Sequence, residues 1–321
     1  MTPETQIPEA QIPETKAPGR LYRAWDSDLA YAFRTAPVAI VATLVVLVVV
    51  FCSVFAPLIA PMNPYNPAAL NLMNGFTPPM EPNAFTGEVF LLGTDGQGRD
   101  MLSTIMYGTR TSLFVGAMAV LFAMVMGISI GLFAGWRGGW VDSTLMRIAD
   151  VQLAFPAILI ALLVFGIARG FIPDNLRDQL AIWVLIVAIG LSDWVQFARV
   201  VRGASMVEKN KEYVQAAQVI GAHPLKIMFR HILPNVMGPV LVIATISLAL
   251  AIIAEATLSF LGVGVPPTQP SLGTLIRVGQ GFLISGEWWI LLFPAVTLLA
   301  LALSVNLLGD WLRDALNPRL R

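Results

Sequence analysis

Charge is scarce in this chain of 321 residues: 12% of positions are charged, against the roughly 25% of a soluble domain. Cysteine is scarcer, with Cys52 alone, so no internal disulfide forms. Two histidines and one cysteine supply no metal-ligand set. Acidic and basic residues balance at 20 each, which removes the basic excess of a nucleic-acid binder. No glycine is followed by lysine, so the chain lacks a Gly-Lys-Ser/Thr phosphate loop and has no ATP site of its own. The ionisable residues are too scattered to form a catalytic constellation. No apolar segment near Met1 resembles a signal peptide.

What the chain has instead is apolar length. Hydrophobic residues make up 56%, and the mean hydropathy is +0.73. A spanning helix needs about 20 mostly apolar residues. Six segments qualify: Val38–Ile59, the run Thr111–Trp136, one from near Thr144 through Ala168, about Ala181–Ala198, about Val236–Phe260 and about Trp288–Leu308. The expected fold is an all-α integral membrane protein of six transmembrane helices. Residues 1–20, with Pro-Glu recurring at Pro3, Pro8 and Pro13, read as a disordered tail. Residues 21–60 hold an interfacial segment, over Leu21–Phe33, and the first span. Residues 61–112 form a long loop that Pro57, Pro61, Pro64 and Pro67 open in extended form. Within it Met101, Leu102, Ile105 and Met106 suggest a short helix on the membrane surface. Residues 113–310 are a five-helix core interrupted by a polar loop at 199–237, and 311–321 close the chain.

Basic residues orient these spans. Fifteen Lys and Arg fall on the side of the termini, the 199–237 loop and the loop between spans two and three. Five fall opposite: Arg99, Arg110, Arg169, Arg177 and Arg277. The positive-inside rule puts both termini and the 199–237 loop in the cytoplasm and loop 61–112 outside.

That polar loop is the most informative segment. Ala217 and Gly221, four apart, are expected on one helix face where another surface approaches closely. His223-Pro224 breaks this helix, Leu225 to His231 begins a second with Pro224 in its first turn, and Pro234 is expected to stop it. The outcome is a helix-turn-helix knob in water. Its sequence resembles the EAA loop of ABC-importer permeases. Gln215-Ala216-Ala217, three residues, Gly221, nine residues and His231-Ile232-Leu233-Pro234 follow the pattern, with Gln215 and His231 departing from it. Leu91–Leu113, Ala256–Leu275 and Asn306–Arg321 resemble three further signatures of the dipeptide, oligopeptide and nickel permeases, with Thr104, Leu272 and Trp311 as departures.

The resemblance, over roughly Pro37–Arg321, is to the C-type subunit of that family. It implies a type I (MetI-like) importer permease of the bacterial inner membrane. It further implies a second, similar permease, two cytoplasmic ATPases that bind ATP and magnesium, and a periplasmic substrate-binding protein delivering di- or oligopeptides. The coupling residues it implies are Tyr213, Gln215, Ala216, Ala217, Gly221, His223, Pro224, Leu233 and Pro234. Nickel chelates, glutathione or oligosaccharides are alternative cargoes of the same machine. A self-contained secondary transporter or channel is the alternative of another class, but no internal inverted repeat is evident.

Three acids lie within the apolar segments, where each needs a reason to be there. Asp150, three residues after Arg147, is expected to pair with it locally. Asp193 either lines a water-filled path or holds a neighbouring helix. Glu255, near the outer end of span five, either snorkels to the interface or lines the pathway.

Overall fold

The computed structural model describes residues 28–316 apart from Pro67, Ala69 and Pro267. The expected tail 1–20 and the last residues of the C-terminal signature lie outside them. Twelve α-helices run through the described residues, and no strand longer than an isolated bridge occurs among them. They are α1 (Asp28–Arg34), α2 (Pro37–Val54), α3 (Ala56–Ile59), α4 (Met101–Arg137), α5 (Gly139–Leu153), α6 (Ala157–Phe171), α7 (Arg177–Lys209), α8 (Glu212–Val219), α9 (Pro224–Ile227), α10 (Leu233–Phe260), α11 (Leu272–Gln280) and α12 (Trp289–Leu316). Five stretches are single helices long and apolar enough to span a membrane, and α5 with α6 makes the sixth as a bent pair.

That pair departs from the straight third span the sequence suggests. The two helices meet at 96°. The break falls at Ala154–Pro156, where Pro156 offers no backbone N–H and disfavours a helical residue before it. Gln152 fixes the corner from inside. Its Nε2 donates to the Leu191 and Ser192 carbonyls of α7 at 2.7 and 3.2 Å, and its Oε1 accepts from Trp194 Nε1 at 2.8 Å.

α4 also differs from expectation. The residues assigned to a surface helix, Met101 to Met106, begin a continuous helix of 37 residues. Asp100 caps it, accepting from Ser103 N at 2.8 Å. The loop therefore ends at Asp100 rather than at 112. Pro57 is not extended either: it stands in the first turn of α3, where its missing N–H costs no hydrogen bond. α7 and α12 run past the ends of their apolar segments, to Lys209 and Leu316.

α4 and α7 form the centre of the bundle. Gly127, Gly131 and Gly135 make a ladder on α4 at helical spacing. A Cβ on Gly131 would stand 2.5 Å from the Ala198 carbonyl oxygen, and one on Gly135 would stand 2.9 Å from Ser205 Cβ. Bare glycines let the two backbones approach, which in a bilayer replaces the missing hydrophobic drive between helices. α2 packs outside this core, with Ala39, Ala42 and Ser53 buried and Val41, Leu44 and Leu47 left for lipid.

α4, α7, α10 and α12 traverse the bundle so that Arg137, Lys209, Leu233 and Leu316 share one end. Phe33 of α1 meets Trp311 of α12 edge-on at 5.2 Å, which brings both terminal helices to that end too.

Candidate coupling site

The knob stands between α7 and α10. Three residues after Lys209, at Glu212, α8 begins. One face of it is buried through Val214, which packs with Ile227, Met228 and Ile232 in the same apolar cluster as the ends of α4 and α7. Ala217, Ala222 and Leu233 lie against this cluster.

Backbone geometry ends α8 sharply. The Ala222 N–H donates to the Ala217 carbonyl and the Gly221 N–H to that of Gln218, both at 3.0 Å, the crossed pair of a Schellman motif. Gly221 carries the left-handed residue that motif requires, at φ +82°. It does not share a helix face with Ala217, as spacing alone suggests, and nothing lies within 4 Å of where its Cβ would be. Its requirement within this chain is conformational.

His223 caps α9, its Nδ1 accepting from Leu225 N at 3.3 Å, with Pro224 in the first turn as expected. Pro234 does not stop the second helix. Residues Met228–Ile232 form a π-helical turn, and the Leu233 N–H reaches back to the Met228 carbonyl. The extra residue widens the turn ahead of Pro234. That relieves the clash between the proline ring and the preceding turn, so the helix runs on into α10.

Hydrogen bonds tie the knob to both spans. The Tyr213 hydroxyl donates to Glu208 Oε2 at the end of α7. Asn235 Nδ2 of α10 donates to that hydroxyl at 3.1 Å and to the His231 carbonyl at 2.7 Å. Lys211 Nζ pairs with Glu208 Oε1 at 2.6 Å. Burial, followed by hydrogen bonding to the adjacent carboxylate, holds the Tyr213 phenol above its ordinary pKa, so it remains a donor at neutral pH. Gln215 caps the preceding turn, donating to the Asn210 carbonyl at 3.1 Å. Glu208 and Asn235 were not singled out by the sequence reading. Their positions at the two margins of the motif were the available signal.

The tip is apolar and bare. Val219 is 87% exposed and Ile220 84%, with Leu225 and Phe229 about half exposed. Ala216 and Pro234 are also exposed. The tip is thus an exposed apolar surface carried on helices that are hydrogen-bonded to α7 and α10.

The intramembrane acids have different surroundings. Asp150 pairs with Arg199 of α7, not with Arg147. Asp142 and Arg202 form a second, bidentate pair. The turn of α5 directs its acids at α7, so both pairs join two helices rather than two turns of one. Asp193 is half-buried and makes no side-chain hydrogen bond or ion pair among the described residues. Glu255 does not snorkel, being fully buried. Its Oε1 accepts from Ser259 Oγ at 2.7 Å. Ser112 and Ser271 stand beside the carboxyl group, yet Oε2 lacks a partner with hydrogen-bond geometry.

At the opposite end the Leu91–Leu113 signature builds a staple. Asp95 Oδ1 accepts from Gln97 N and Arg99 N at 2.9 and 3.0 Å, and Oδ2 pairs with Arg99 Nε at 2.7 Å. Trp289 Nε1 donates to the Thr94 carbonyl at 3.0 Å, pinning loop 61–100 to α12. Met62 N donates to Ser103 Oγ at 3.1 Å, pinning it to α4.

Residues 127–321 match the family described as binding-protein-dependent transport system inner membrane component. Residues 24–79 match the N-terminal TM domain of oligopeptide transport permease C. The chain is 38% identical to the dipeptide transport system permease protein DppC of Haemophilus influenzae, over 88% of this chain and 91% of that one. It is 35% identical to the oligopeptide transport system permease protein OppC of Bacillus subtilis, over 92% and 90%. The glutathione transport system permease protein GsiD of Pectobacterium atrosepticum is 38% identical over 72% and 73%. Among solved structures, an inward-facing form of the MetNI methionine ABC transporter aligns with TM-score 0.53 at 20% identity, over 68% of this chain and 98% of that one, a likeness of fold. With the broken third span, the tied knob and these relatives together, the chain belongs to the family of inner-membrane components of binding-protein-dependent transport systems.

Proposed function

We propose that this chain is one of two permease subunits in an importer that moves di- or oligopeptides, driven by two cytoplasmic ATPases and fed by an external binding protein. The exposed Val219–Ile220 tip on its hydrogen-bonded scaffold carries the reading. The knob seats in a groove of one ATPase. Movement of that ATPase on closing around ATP and magnesium passes through α8 to α7 and, through the π turn, to α10. Residues 199–237 and both termini face the cytoplasm, in keeping with the basic asymmetry of the sequence.

Names of relatives support a peptide cargo, and the glutathione permease among them keeps a second cargo in view. Asp193 is assigned to the pathway, where an acid without a partner in its own chain meets water. Glu255 is assigned to holding α10 and α11 in place, since it is closed off within the single chain.

The test is the reconstituted complex with loaded binding protein. Ile220→Asp puts a charge on the tip without touching the core. We expect assembly to persist at reduced ATPase affinity, with substrate-stimulated hydrolysis and uptake both falling at least tenfold. Undiminished stimulation in a complex of normal composition would refute the docking role. A panel of dipeptides, longer peptides and glutathione then decides the cargo.

A further inference from the structure

The end of the bundle away from the knob has few basic residues, and three of its five arginines converge. Arg169 at the end of α6, Arg177 at the start of α7 and Arg277 on α11 line one cavity of about 90 Å³. Arg99 is committed to Asp95. The three belong to separate helices, and Arg277 lies 100 residues after Arg177 and further from Arg169, so local sequence does not explain their meeting. Gly262 makes room for one of them: a Cβ there would stand 2.7 Å from Arg277 Cζ. Arg177 is held by Asp174 and by the Ile172 carbonyl. Arg169 and Arg277 have no ion pair among the described residues. Asp178 is the one carboxylate lining the cavity.

Directly beneath, toward the middle of the bundle, an apolar groove of about 240 Å³ runs between α6 and α7. Val164, Ala168, Leu180, Trp183, Val184 and Val187 line it, and Val184 also lines the cationic cavity. Phe171, 85% exposed, and Trp183, half exposed, flank the site, and exposed aromatic residues are enriched at bilayer interfaces. A cation cluster opening into an apolar groove matches the two halves of one amphipathic molecule. The geometry points to a phospholipid site, with the phosphodiester on Arg169 and Arg277 and an acyl chain in the groove. Guanidinium groups suit this role because they present planar donors to phosphate oxygens. Asp178 offers a partner to a headgroup ammonium. A peptide carboxylate would satisfy the arginines but leaves the groove unfilled, so the lipid is favoured.

The experiment is native mass spectrometry of the purified importer complex after exchange into detergent with phosphatidylglycerol, phosphatidylethanolamine or diacylglycerol. Wild-type complex is expected to retain one phospholipid and no diacylglycerol at this site. Arg169→Gln with Arg277→Gln should lower retention at least tenfold, and Ala168→Trp, which fills the groove and keeps every charge, should do the same. A preference for phosphatidylethanolamine that Asp178→Asn abolishes identifies the headgroup. Equal retention in Ala168→Trp and wild type overturns the proposal, and that arm stands even where the double arginine variant fails to assemble. Equal retention of diacylglycerol overturns it as well. So does unchanged lipid retention in the arginine variant accompanied by selective loss of uptake of free-acid over amidated peptides, which would assign the cavity to cargo.

Discussion

The two water-facing regions, the knob at Glu212–Pro234 and the opposite loop at 61–100, each carry a family signature and use it in opposite ways. In the knob, the signature shapes a projecting surface. Its alanines are small, its glycine reverses the chain, and the residues beside that glycine, Val219 and Ile220, are left bare. In the loop, the signature turns inward. Thr94, Asp95 and Asp100 are buried, and their side chains satisfy backbone groups that no helix or sheet serves. A signature stretch therefore leaves an exposed apolar surface in one case and builds an internal staple in the other. Only burial tells them apart.

Asp95→Ala breaks the comparison most severely. It removes the acceptor of two backbone N–H groups and leaves Arg99 without its buried partner, which costs about 3 kcal/mol. A clear drop in melting temperature in detergent is expected, with transport lost in proportion to folded protein. A stable protein with a specific transport defect would instead make the loop a contact surface.

The next effects fall on the knob's scaffold. Tyr213→Phe removes the hydroxyl that joins Glu208 to Asn235 and is expected to cost ~1 kcal/mol. ATP hydrolysis should continue but lose part of its response to binding protein, because α8 is less firmly tied to both spans. Wild-type coupling in this variant would show the tie to be dispensable. Gly221→Ala places a Cβ at φ +82° and should destabilise the turn by ~1 kcal/mol, whereas Gly221→Asn tolerates that backbone better. Equal stability of the two variants, read by protease sensitivity of the loop, would refute the conformational reading. Gly221→Asp should match the asparagine variant in stability and still lose coupling, through its charge beside the tip.

Val219→Ser with Ile220→Ser should change stability least, since both side chains already face water. Melting is expected to stay within error while the ATPases dissociate more readily from the complex. A lowered melting point would mean that the tip packs within this chain.

Much of this was legible in the sequence. Long charge-free segments fix helices, because in a bilayer the backbone must satisfy its own hydrogen bonds. Pro224 announced the start of the second knob helix, whereas the Ala217–Gly221 spacing misplaced Gly221 on a helix face that it does not occupy. The glycines Gly127, Gly131 and Gly135 stand at helical spacing, but only the packed helix pair shows them as a seam, with α7 as its partner.

Pro234 and Pro156 show where sequence runs out. Both are prolines in apolar surroundings. One passes through a continuous helix and the other breaks a span by 96°. A π turn rescues the first, and a glutamine reaching the carbonyls of α7 fixes the second. The acids behave alike: Asp150 has Arg147 near it along the chain but finds Arg199 across the bundle, and Glu255 is buried beside Ser112 of α4, Ser259 of α10 and Ser271, the cap of α11. Local composition decided which segments enter the membrane, since that free energy is summed along a single helix. Which carboxylate meets which guanidinium, and which proline bends the chain, was decided by tertiary packing, because those energies depend on residues brought together from distant parts of the chain.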